Sequence, residues 1–443
     1  MIKIKAIGGY SKIGKNMTAI YIDDEIVITD MGADMEKLVE LQDENVNVST
    51  KDKELLIERG VIPDDIDFFE KNRNKVKAIV ITHGHLDHIW AVPFLASKYN
   101  CPVIATPFTI KVIEHLMSDF NVRYNRIIKL NTGTKYKISD NLVVELVNIT
   151  HSIPNSSMIA IHTKYGVIMY ANDWKLDNTP TLGSPPDYRR MNELRKEGIF
   201  ALISDSTRVD RDGYCFSESI VKSMLEDVIT RNQENRTIFV TTFASHIARL
   251  RNINQTARHL RRSVFIFGRS MDMYINAAVS SGIISRDTLP KVITRREDIN
   301  RALRLVRENP SKYLIICTGH QGEKDSFLDK LSSGAYNYKL SSEDGIIFSS
   351  ETIPTPVNIA NKMALLKKLE VSGARIADNV HVSGHAYKND LRTFLKILSP
   401  KHFIPSHGGV DKISAAINVS NEFGYELNKT SHILLDGQEL ELL

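Results

Sequence analysis

The sequence predicts an α/β protein in which two strand-and-helix regions bracket a middle region of different pattern. Short runs rich in β-branched residues recur along the chain and indicate buried strands. Stretches with apolar residues spaced three and four apart lie between them and indicate helices. The pattern changes near residues 206 and 352, and a length of 443 residues is enough for two domains.

The first region is rich in strands that end in glycine-marked turns or in polar residues. A charged segment at 33–74 interrupts it, and we interpret that segment as helices and loops on the surface. The predicted strands lie at 17–22, 25–29, 76–81, 142–149, 158–163 and 167–170.

The middle region is typical of βα units. Ile247, Leu250 and Ile253 begin an apolar helix stripe, and Ser245 is the predicted N-cap of that helix. A basic amphipathic helix is predicted at 297–308, and strands are predicted at 236–243, 264–267 and 313–317. Strands that alternate with helices predict a parallel sheet. In the last region we expect helices at 361–370 and 389–398 and strands at 379–382 and 402–405.

The bulk composition excludes several classes of protein. It is 42% hydrophobic and 25% charged, as in ordinary globular domains, and no apolar run approaches membrane-spanning length. Only three cysteines are present, far apart, which excludes a disulfide framework and a thiolate zinc site. The N-terminus alternates apolar and charged residues and lacks the apolar core of a signal peptide, so we expect a cytoplasmic protein.

Positive charge is concentrated in the middle region. Residues 206–351 contain 22 Lys and Arg against 17 Asp and Glu, whereas the rest of the chain is nearly neutral. Within this region, residues 246–269 hold arginines and no acid; the six arginines are Arg249, Arg251, Arg258, Arg261, Arg262 and Arg269. This run indicates either a polyanion-binding surface or a solvated helix face.

Four metal-competent side chains follow the predicted strand 76–81 within six residues: His83, His85, Asp87 and His88. Imidazoles and a carboxylate suit zinc or manganese. Open α/β sheets bind ligands at such strand ends. His83 and His85 can reach one ion, whereas Asp87 and His88 lie further round the turn, which favours two ions.

A pair of ions needs further ligands, and other predicted strand ends offer them. His151, Asp173 and His407 each follow a strand. Asp173 is the expected bridging ligand, because its two oxygens can serve two ions. Asp30 ends the strand at 25–29 and is expected to accept the second ring proton of a ligand histidine.

Two such ions would activate a water and stabilise the charge that develops on phosphoryl oxygens, which predicts phosphodiester hydrolysis. Asp87 is the candidate general base. His385 is the candidate proton donor to the leaving oxygen, and Asp205 is expected to hold His385 protonated.

Substrate phosphates are expected at two places where a loop meets a predicted helix. Ser383 and Gly384 precede the helix predicted at 389–398, and Ser245 and His246 begin the arginine-bearing helix. The loop 318–323 is a third glycine-rich candidate.

Further motifs accompany the histidine motif in chain order: Gly14-Lys15-Asn16-Met17, His151-Ser152-Ile153-Pro154, Ser204-Asp205-Ser206-Thr207, Gln321-Gly322-Glu323 and Val382-Ser383-Gly384-His385. Together they resemble the metallo-β-lactamase superfamily and, within its β-CASP branch, the ribonuclease J family. The resemblance covers nearly the whole chain. It implies an αββα sandwich formed by 1–205 and 352–443, with a β-CASP domain inserted at 206–351.

The resemblance also implies the ligands and the substrate. It implies one Zn²⁺ on His83, His85, His151 and Asp173, and a second on Asp87, His88, Asp173 and His407, with Mn²⁺ as the alternative metal. Members typically degrade single-stranded RNA from a 5′-monophosphate end and also cut internally. The positions that hold phosphates in the family correspond to Ser245 and His246 and to the run His381, Val382, Ser383, Gly384 and His385. Relatives often form homodimers.

The chain departs from the family pattern at a few positions. Asn155 replaces a usual aspartate, His320 a usual serine and Gly409 a usual glutamate, and none is a proposed ligand. The chain resembles short archaeal members that lack the C-terminal domain of bacterial relatives. Substrate preference and assembly are the properties that these departures would affect.

Three alternatives stay open from the sequence. A DNA 5′ exonuclease of the same superfamily is the first, although family members that act on DNA tend to have valine in place of His407. A non-catalytic RNA-binding β-CASP subunit is the second, and it would be expected to have lost ligands. A small-molecule hydrolase is the third, and it would not need the basic middle region.

Overall fold

The computed structural model describes residues 1–44, 46, 48–232 and 237–442. The chain packs as two compact units. Unit 1 consists of Met1–Asn178, Ser184–Cys215 and Gly384–Leu443, and unit 2 consists of Thr179–Gly183 and Phe216–Ser383. Unit 2 contains most of the insert expected at 206–351 and extends beyond its end, so the exact limits of the domains stay a prediction.

The strands, in chain order, are β1 (Ile2–Gly8), β2 (Met17–Ile22), β3 (Glu25–Thr29), β4 (Val76–Val80), β5 (Val103–Ala105), β6 (Ile127–Lys129), β7 (Lys135–Lys137), β8 (Val143–Asn148), β9 (Ser157–Thr163), β10 (Gly166–Ala171), β11 (Ile199–Asp205), β12 (Ile238–Thr241), β13 (Ser263–Phe267), β14 (Val292–Ile293), β15 (Tyr313–Cys317), β16 (Gly345–Phe348), β17 (Arg375–Ala377), β18 (His402–Ser406) and β19 (Glu439–Leu442).

The α-helices, in chain order, are α1 (Met35–Asp43), α2 (Lys53–Glu58), α3 (Ile66–Asn72), α4 (Leu86–Ile89), α5 (Val92–Leu95), α6 (Pro107–Asp119), α7 (Tyr188–Glu197), α8 (Glu218–Arg231), α9 (Ile247–His259), α10 (Arg269–Ser280), α11 (Arg296–Glu308), α12 (Phe327–Ser332), α13 (Pro356–Val371), α14 (Lys388–Leu398) and α15 (Val410–Asn421). Short 3₁₀ helices lie at Thr50–Asp52, Ala96–Tyr99 and Pro310–Lys312.

Unit 1 is a sandwich of two sheets with helices on both outer faces. One sheet has the order β19-β1-β2-β3-β4-β5-β6, and the other has the order β18-β11-β10-β9-β8-β7. Buried aliphatic side chains from both sheets, such as Val80 of β4 and Ile203 of β11, form the core between them. On the outer face of the second sheet α7, α14 and α15 pack, and Trp174 stacks on Phe394 of α14. On the first sheet, Phe68 of α3 contacts Tyr21 of β2. The predicted αββα layering is confirmed.

Unit 2 is a parallel sheet of order β14-β13-β15-β12-β16-β17, and every neighbouring pair in it is parallel. One face packs on α11, α12 and α13 through side chains such as Leu303, Leu328 and Leu365. The βα alternation of the middle region therefore predicted its sheet type correctly.

Several local predictions were wrong at their boundaries. Helix α9 begins at Ile247 and its N-cap residue is His246, so Ser245 is not the cap. The strand expected at 379–382 lies earlier, at β17. The residues that follow the histidine motif form two short helices, α4 and α5. Helix α14 begins only at Lys388, so Ser383 and Gly384 do not lie at its first turn. The strand expected at 236–243 is shorter, as β12, and its first predicted residue, Arg236, lies outside the described residues.

Glu145 connects the second sheet of unit 1 to helix α7. Its side chain is 2% exposed, and both carboxylate oxygens accept hydrogen bonds from Arg190, at 2.6 and 2.9 Å. His162 Nε2 on the neighbouring strand lies 2.8 Å from Oε2. Burial alone would raise the pKa of Glu145, but the hydrogen bonds from His162 and Arg190 outweigh it and lower the pKa to about 2.

This contact predicts an acid-sensitive contribution to stability. Because the folded pKa lies below the unfolded one, the contribution is complete above about pH 4.5 and is lost as the pH falls toward about 2. We expect Glu145→Gln to lower the free energy of unfolding by about 2 to 3 kcal/mol at pH 7. Urea unfolding followed by the fluorescence of Trp90 and Trp174, both in unit 1, measures this difference at pH 7 and pH 3.

The matched control is Glu193→Gln, which removes a carboxylate that also bonds Arg190 but is 41% exposed. It should have a much smaller effect at both pH values. A Glu145→Gln effect that is equal at pH 7 and pH 3 would contradict the prediction.

Candidate metal centre

The candidate ligands come together because their strands run in the same direction. Strands β3 and β4 are parallel, as are β10, β11 and β18. Strand β8 shares the direction of β10, since both are antiparallel to β9. The carboxyl ends therefore meet at one edge of unit 1. The residues at these ends are Asp30 after β3, His83 to His88 after β4, His151 after β8, Asp173 after β10, Asp205 at the end of β11 and His407 after β18.

The first cluster consists of His83, His85, His151 and Asp173. His85 Nδ1 lies 3.0 Å from His83 Nε2 and 3.1 Å from His151 Nε2. Asp173 Oδ2 lies 3.5 Å from His83 Nε2 and 3.4 Å from His151 Nε2. A tetrahedral zinc ion holds its ligand atoms roughly 3.3 Å apart. The separations in this cluster fit one such ion.

The second cluster consists of Asp87, His88, Asp173 and His407. Asp173 Oδ1 lies 3.3 Å from His88 Nε2 and 3.1 Å from His407 Nε2. Asp87 Oδ2 lies 3.6 Å from the Nε2 atoms of both His88 and His407. This set offers two imidazole nitrogens and two carboxylate oxygens around one point.

Asp173 belongs to both clusters and directs one oxygen to each. Its Oδ1 is buried and has no hydrogen-bond partner among the residues that the structure describes. An unsatisfied buried carboxylate oxygen is costly, and a cation would satisfy it. Asp173 and His407 also have left-handed backbone conformations, with φ of 59° and 55°, which are uncommon for non-glycine residues. The residues present fit a pair of cations, and the clusters indicate metal binding.

The electrostatics of the first cluster favour neutral imidazoles, the form that binds cations. Burial lowers the pKa of His151 to about 4. Burial, together with the neighbouring His88 for His83 and with His83 for His85, lowers the pKa of both residues well below the usual range.

In the second cluster, nearby carboxylates outweigh burial and favour positive charge. Burial opposes protonation of His88, but the carboxylates of Asp173, Asp87 and Asp30 outweigh burial and raise its pKa well above the usual range. Burial raises the pKa of Asp87, although His88 and His407 oppose the shift. The group of carboxylates therefore attracts positive charge, which a cation supplies as well as a proton.

Neighbouring polar groups orient the imidazoles. His88 Nδ1 donates to Asp30 Oδ2 at 2.7 Å, and Thr82 donates to Asp30 Oδ1 from its backbone N–H at 2.8 Å and its hydroxyl at 3.0 Å. His151 Nδ1 donates to the Gly384 carbonyl at 2.7 Å. Each bond occupies one ring nitrogen and directs the other toward the cluster. The structure therefore places Asp30 where the sequence predicted it.

His385 and Asp205 form a pair beside Asp173. His385 Nδ1 lies 2.8 Å from Asp205 Oδ2, and the backbone N–H of Thr207 donates to Asp205 Oδ1 at 2.8 Å. Burial opposes protonation of His385, but Asp205 and Asp173 outweigh it and raise its pKa. Burial opposes the charge on Asp205, but His385 lowers its pKa. The pair is arranged to hold a proton on His385.

The predicted phosphate contacts are divided between the two units. Ser245, His246, His381, Val382 and Ser383 belong to unit 2, whereas Gly384 and His385 belong to unit 1. In unit 2, His246 Nε2 lies 3.4 Å from Glu218 Oε2. In unit 1, Gly384 contributes its carbonyl to His151. Their contact with substrate stays a prediction.

Only some of the six arginines in the run are exposed to solvent. Arg249 and Arg262 are buried, at 0% and 4% exposure, and Arg251 is half-buried. Arg249 pairs with Glu218, Arg262 donates to the Tyr313 carbonyl, and Arg251 donates to the Thr181 carbonyl. Arg258, Arg261 and Arg269 are exposed. Only Arg258, Arg261 and Arg269 are therefore available to a polyanion or to solvent, and the contact of these three with a polyanion stays a prediction.

The three departures from the family pattern have structural roles of their own. Asn155 has a φ of 54° and its carbonyl accepts the Thr106 hydroxyl. His320 packs against Phe243, with ring centroids 4.2 Å apart. Gly409 is the N-cap residue of α15.

Sequence reasoning missed two of the orienting residues around the clusters. Thr82 and Asn16 contact the candidate ligands, and Asn16 stood out only as part of a motif with no assigned role. Asn16 lies 391 positions from His407 in the chain, so neither periodicity nor ligand spacing could have indicated their contact.

Three family models match the chain. Residues 14–197 match the metallo-beta-lactamase superfamily, and 234–366 match the ribonuclease J, beta-CASP domain. Residues 370–428 match the Zn-dependent metallo-hydrolase RNA specificity domain. The resemblance inferred from the motifs is therefore confirmed, as is the prediction of a metal-dependent hydrolase. None of the helices in the described part of the chain is long and apolar enough to cross a membrane.

Similar proteins of known sequence match nearly the whole chain. Ribonuclease J of Methanocaldococcus jannaschii is 40% identical over 99% of this chain and 98% of its own length. Ribonuclease J of Pyrococcus abyssi is 39% identical over 100% of this chain and 97% of its own length. Ribonuclease J 1 of Streptococcus pyogenes is 33% identical over 92% of this chain and 68% of its own.

A solved structure shares the fold over its full length. It is a protein of unknown function from Enterococcus faecalis, with a TM-score of 0.67 and 16% identity, covering 100% of both chains. At that identity the likeness concerns the fold alone. The identity and coverage of the sequence relatives carry the assignment: the chain belongs to the ribonuclease J family, metal-dependent nucleases of the metallo-β-lactamase superfamily.

Proposed function

We propose that the chain is a two-zinc ribonuclease that degrades single-stranded RNA in the 5′ to 3′ direction from a 5′-monophosphate end and also cuts internally. The observation that carries the proposal is the pair of clusters that share Asp173, each of which offers four ligand atoms. The names of the relatives, ribonuclease J, favour RNA as the substrate. Mn²⁺ is the alternative metal.

Two ions at these clusters would supply an activated water and Lewis acidity toward the phosphoryl oxygens. Asp87 Oδ2 lies 3.6 Å from two imidazole nitrogens of the second cluster. With Oδ2 directed to an ion there, the second carboxylate oxygen of Asp87 would be the base that accepts the proton of the attacking water. His83, His88, Asp173 and His407 are buried, and a low local dielectric strengthens their interactions with charge.

His385 is the proposed donor of a proton to the leaving 3′ oxygen. Asp205 binds its Nδ1, so the proton that is transferred leaves from Nε2. The carboxylates of Asp205 and Asp173 raise the pKa of His385, which favours the protonated imidazole that a proton donor needs. Asp205 acts through His385 and is therefore a positioning residue.

The remaining parts of the proposal concern substrate contacts and assembly. Ser245, His246 and residues 381–385 are proposed to hold phosphates, and the exposed Arg258, Arg261 and Arg269 to attract the RNA backbone. We also propose residues 206–351 as the inserted domain, a homodimer as the assembly and the cytoplasm as the location.

A DNA 5′ exonuclease is the main rival function, and the match to the RNA specificity domain over residues 370–428, which include His407, favours RNA. A non-catalytic RNA-binding subunit is disfavoured, because each of the two clusters has four candidate ligands. A small-molecule hydrolase would have no use for a 133-residue β-CASP segment.

Digestion of matched RNA and DNA oligonucleotides tests the proposal. Each carries a 5′-monophosphate, triphosphate or hydroxyl end and a label at either terminus. We expect mononucleotide release from monophosphorylated RNA by the wild type and a loss of at least roughly 10³-fold in His85→Ala, because one ligand of the first cluster is removed. Internal cutting appears as fragments that keep the 5′ label.

Metal analysis of the same samples completes the test. The wild type should retain about two ions per chain. Equal cutting of DNA would refute the RNA assignment, and an active enzyme free of metal would refute the mechanism.

A further inference from the structure

We propose that Asn16 is a positioning residue of the second metal cluster and that it controls the affinity for the ion bound there but not for the ion of the first cluster. The inference rests on the two-ion site proposed above. Asn16 lies in the Gly14-Lys15-Asn16-Met17 motif, and its side chain is 1% exposed. Both polar atoms of its amide lie within 3.2 Å of candidate ligands, the geometry of a residue that orients ligands.

The amide oxygen of Asn16 orients His407. His407 Nδ1 lies 2.8 Å from Asn16 Oδ1, and an amide oxygen can only accept. The proton of a neutral His407 therefore resides on Nδ1, and Nε2, 3.1 Å from Asp173 Oδ1, presents its lone pair to the cluster.

The amide nitrogen of Asn16 contacts the other side of the cluster. Nδ2 donates to the backbone carbonyl of Asp87 at 3.1 Å and lies 3.2 Å from His88 Nε2. The backbone N–H of Asn16 donates to the same carbonyl, also at 3.1 Å. One amide thus touches the residues His407, Asp87 and His88, which are three of the four candidate ligands of the second cluster.

Asn16 is itself held rigidly. Asn172 Nδ2 donates to its Oδ1 at 3.3 Å, and Asn172 in turn accepts from the Ser406 hydroxyl at 2.6 Å. A side chain at Gly9 would place its Cβ 2.4 Å from Asn16 Oδ1, so the glycine leaves room for the amide. A held amide can transmit a preferred geometry to the ligands, whereas a mobile one could not.

The first cluster is oriented by different groups, which predicts selectivity. The Thr82 hydroxyl lies 3.0 Å from His83 Nδ1, and the Gly384 carbonyl accepts from His151 Nδ1 at 2.7 Å. Loss of the Asn16 amide should therefore weaken binding of the ion at the second cluster and leave binding at the first cluster unchanged.

The experiment is a Zn²⁺ titration of metal-stripped full-length protein against a competing chelator, for wild type, Asn16→Ala and Asn16→Asp. We expect two binding phases in the wild type, and in Asn16→Ala a weakening of one phase by about 10- to 100-fold. Asn16→Asp keeps an acceptor for His407 Nδ1 and should retain more of the affinity than Asn16→Ala. Long-range ¹H–¹⁵N spectra should show that His407 loses its uniform Nδ1–H tautomer in Asn16→Ala.

The control is Asn254→Ala, which removes a buried asparagine of unit 2 that bonds the Thr288 carbonyl, and it should keep both phases. If Asn16→Ala does not fold, judged by tryptophan fluorescence, Asn16→Ser replaces it in the same titration. If Asn16→Ala weakens both phases equally, or changes the Zn²⁺ affinity of neither, the role proposed for Asn16 is wrong. The proposed two-ion function would be unaffected by that result. A wild type that binds fewer than two ions contradicts the two-ion function and this inference with it.

Discussion

Asp173→Asn is expected to reduce RNA hydrolysis by roughly 10⁴-fold, because metal ions contribute several kcal/mol of charge stabilisation and this variant disrupts both clusters. Asp173 is the single residue common to the two sets of four candidate ligands. A neutral amide at this position keeps the size of the side chain but removes the charge and one of the two acceptor oxygens. Single-turnover cleavage of 5′-monophosphorylated RNA with enzyme in excess measures the rate.

The matched variant is Asp87→Asn, which changes a ligand of the second cluster only. Metal content after gel filtration should fall for both ions in Asp173→Asn and by about one ion in Asp87→Asn. An Asp173→Asn protein that retains two ions and cuts RNA within tenfold of the wild type would contradict the bridging role.

Glu218→Gln is expected to destabilise unit 2 by about 3 to 5 kcal/mol, because it leaves a buried guanidinium without its counter-charge. Arg249 is 0% exposed, and its Nε and Nη2 donate to the Glu218 carboxylate at 2.6 and 2.7 Å. Its Nη1 donates to the Ser349 carbonyl at 2.9 Å. The pair joins α8 to α9, the helix that carries Arg249, Arg251 and Arg258 of the arginine run.

Hydrogen exchange in urea, followed by mass spectrometry on peptides of α8 and α9, measures this change in unit 2. Trp90 and Trp174 lie in unit 1, so their fluorescence reports whether that unit is unaffected. The double variant Glu218→Gln/Arg249→Met removes both charges and should recover much of the loss. Asp227→Asn breaks an exposed pair with Arg231 on the same helix and should change little. A Glu218→Gln effect no larger than that of Asp227→Asn would contradict the prediction.

Local pattern was a reliable guide to the strands that carry the site. The predicted limits of β2, β3 and β15 agree with the structure, since alternation and β-branched runs depend only on near neighbours in the chain. The ends of helices were less predictable. The predicted N-cap of α9 was Ser245, whereas the N-cap in the structure is His246. A helix terminus depends on which backbone groups find partners in the folded chain.

The candidate ligands could be named from sequence because each follows a strand. In the folded chain Asp173 lies within 3.5 Å of His83 and His151, and His85 lies within 3.1 Å of the same two histidines. These contacts depend on strand direction and on the packing of two sheets. Their role as metal ligands stays a prediction, which the zinc titration and the Asp173 variant test.

By itself the sequence determined the α/β class, the positions of most strands, the family motifs and the identity of the candidate ligands. These properties depend on short segments, in which side-chain type and spacing are sufficient. The tertiary structure alone decided which arginines of α9 are buried, that Arg249 pairs with Glu218, and that Asn16 contacts His407. Burial and hydrogen bonding of a side chain depend on residues far away in the chain, and only the folded packing brings those residues into contact.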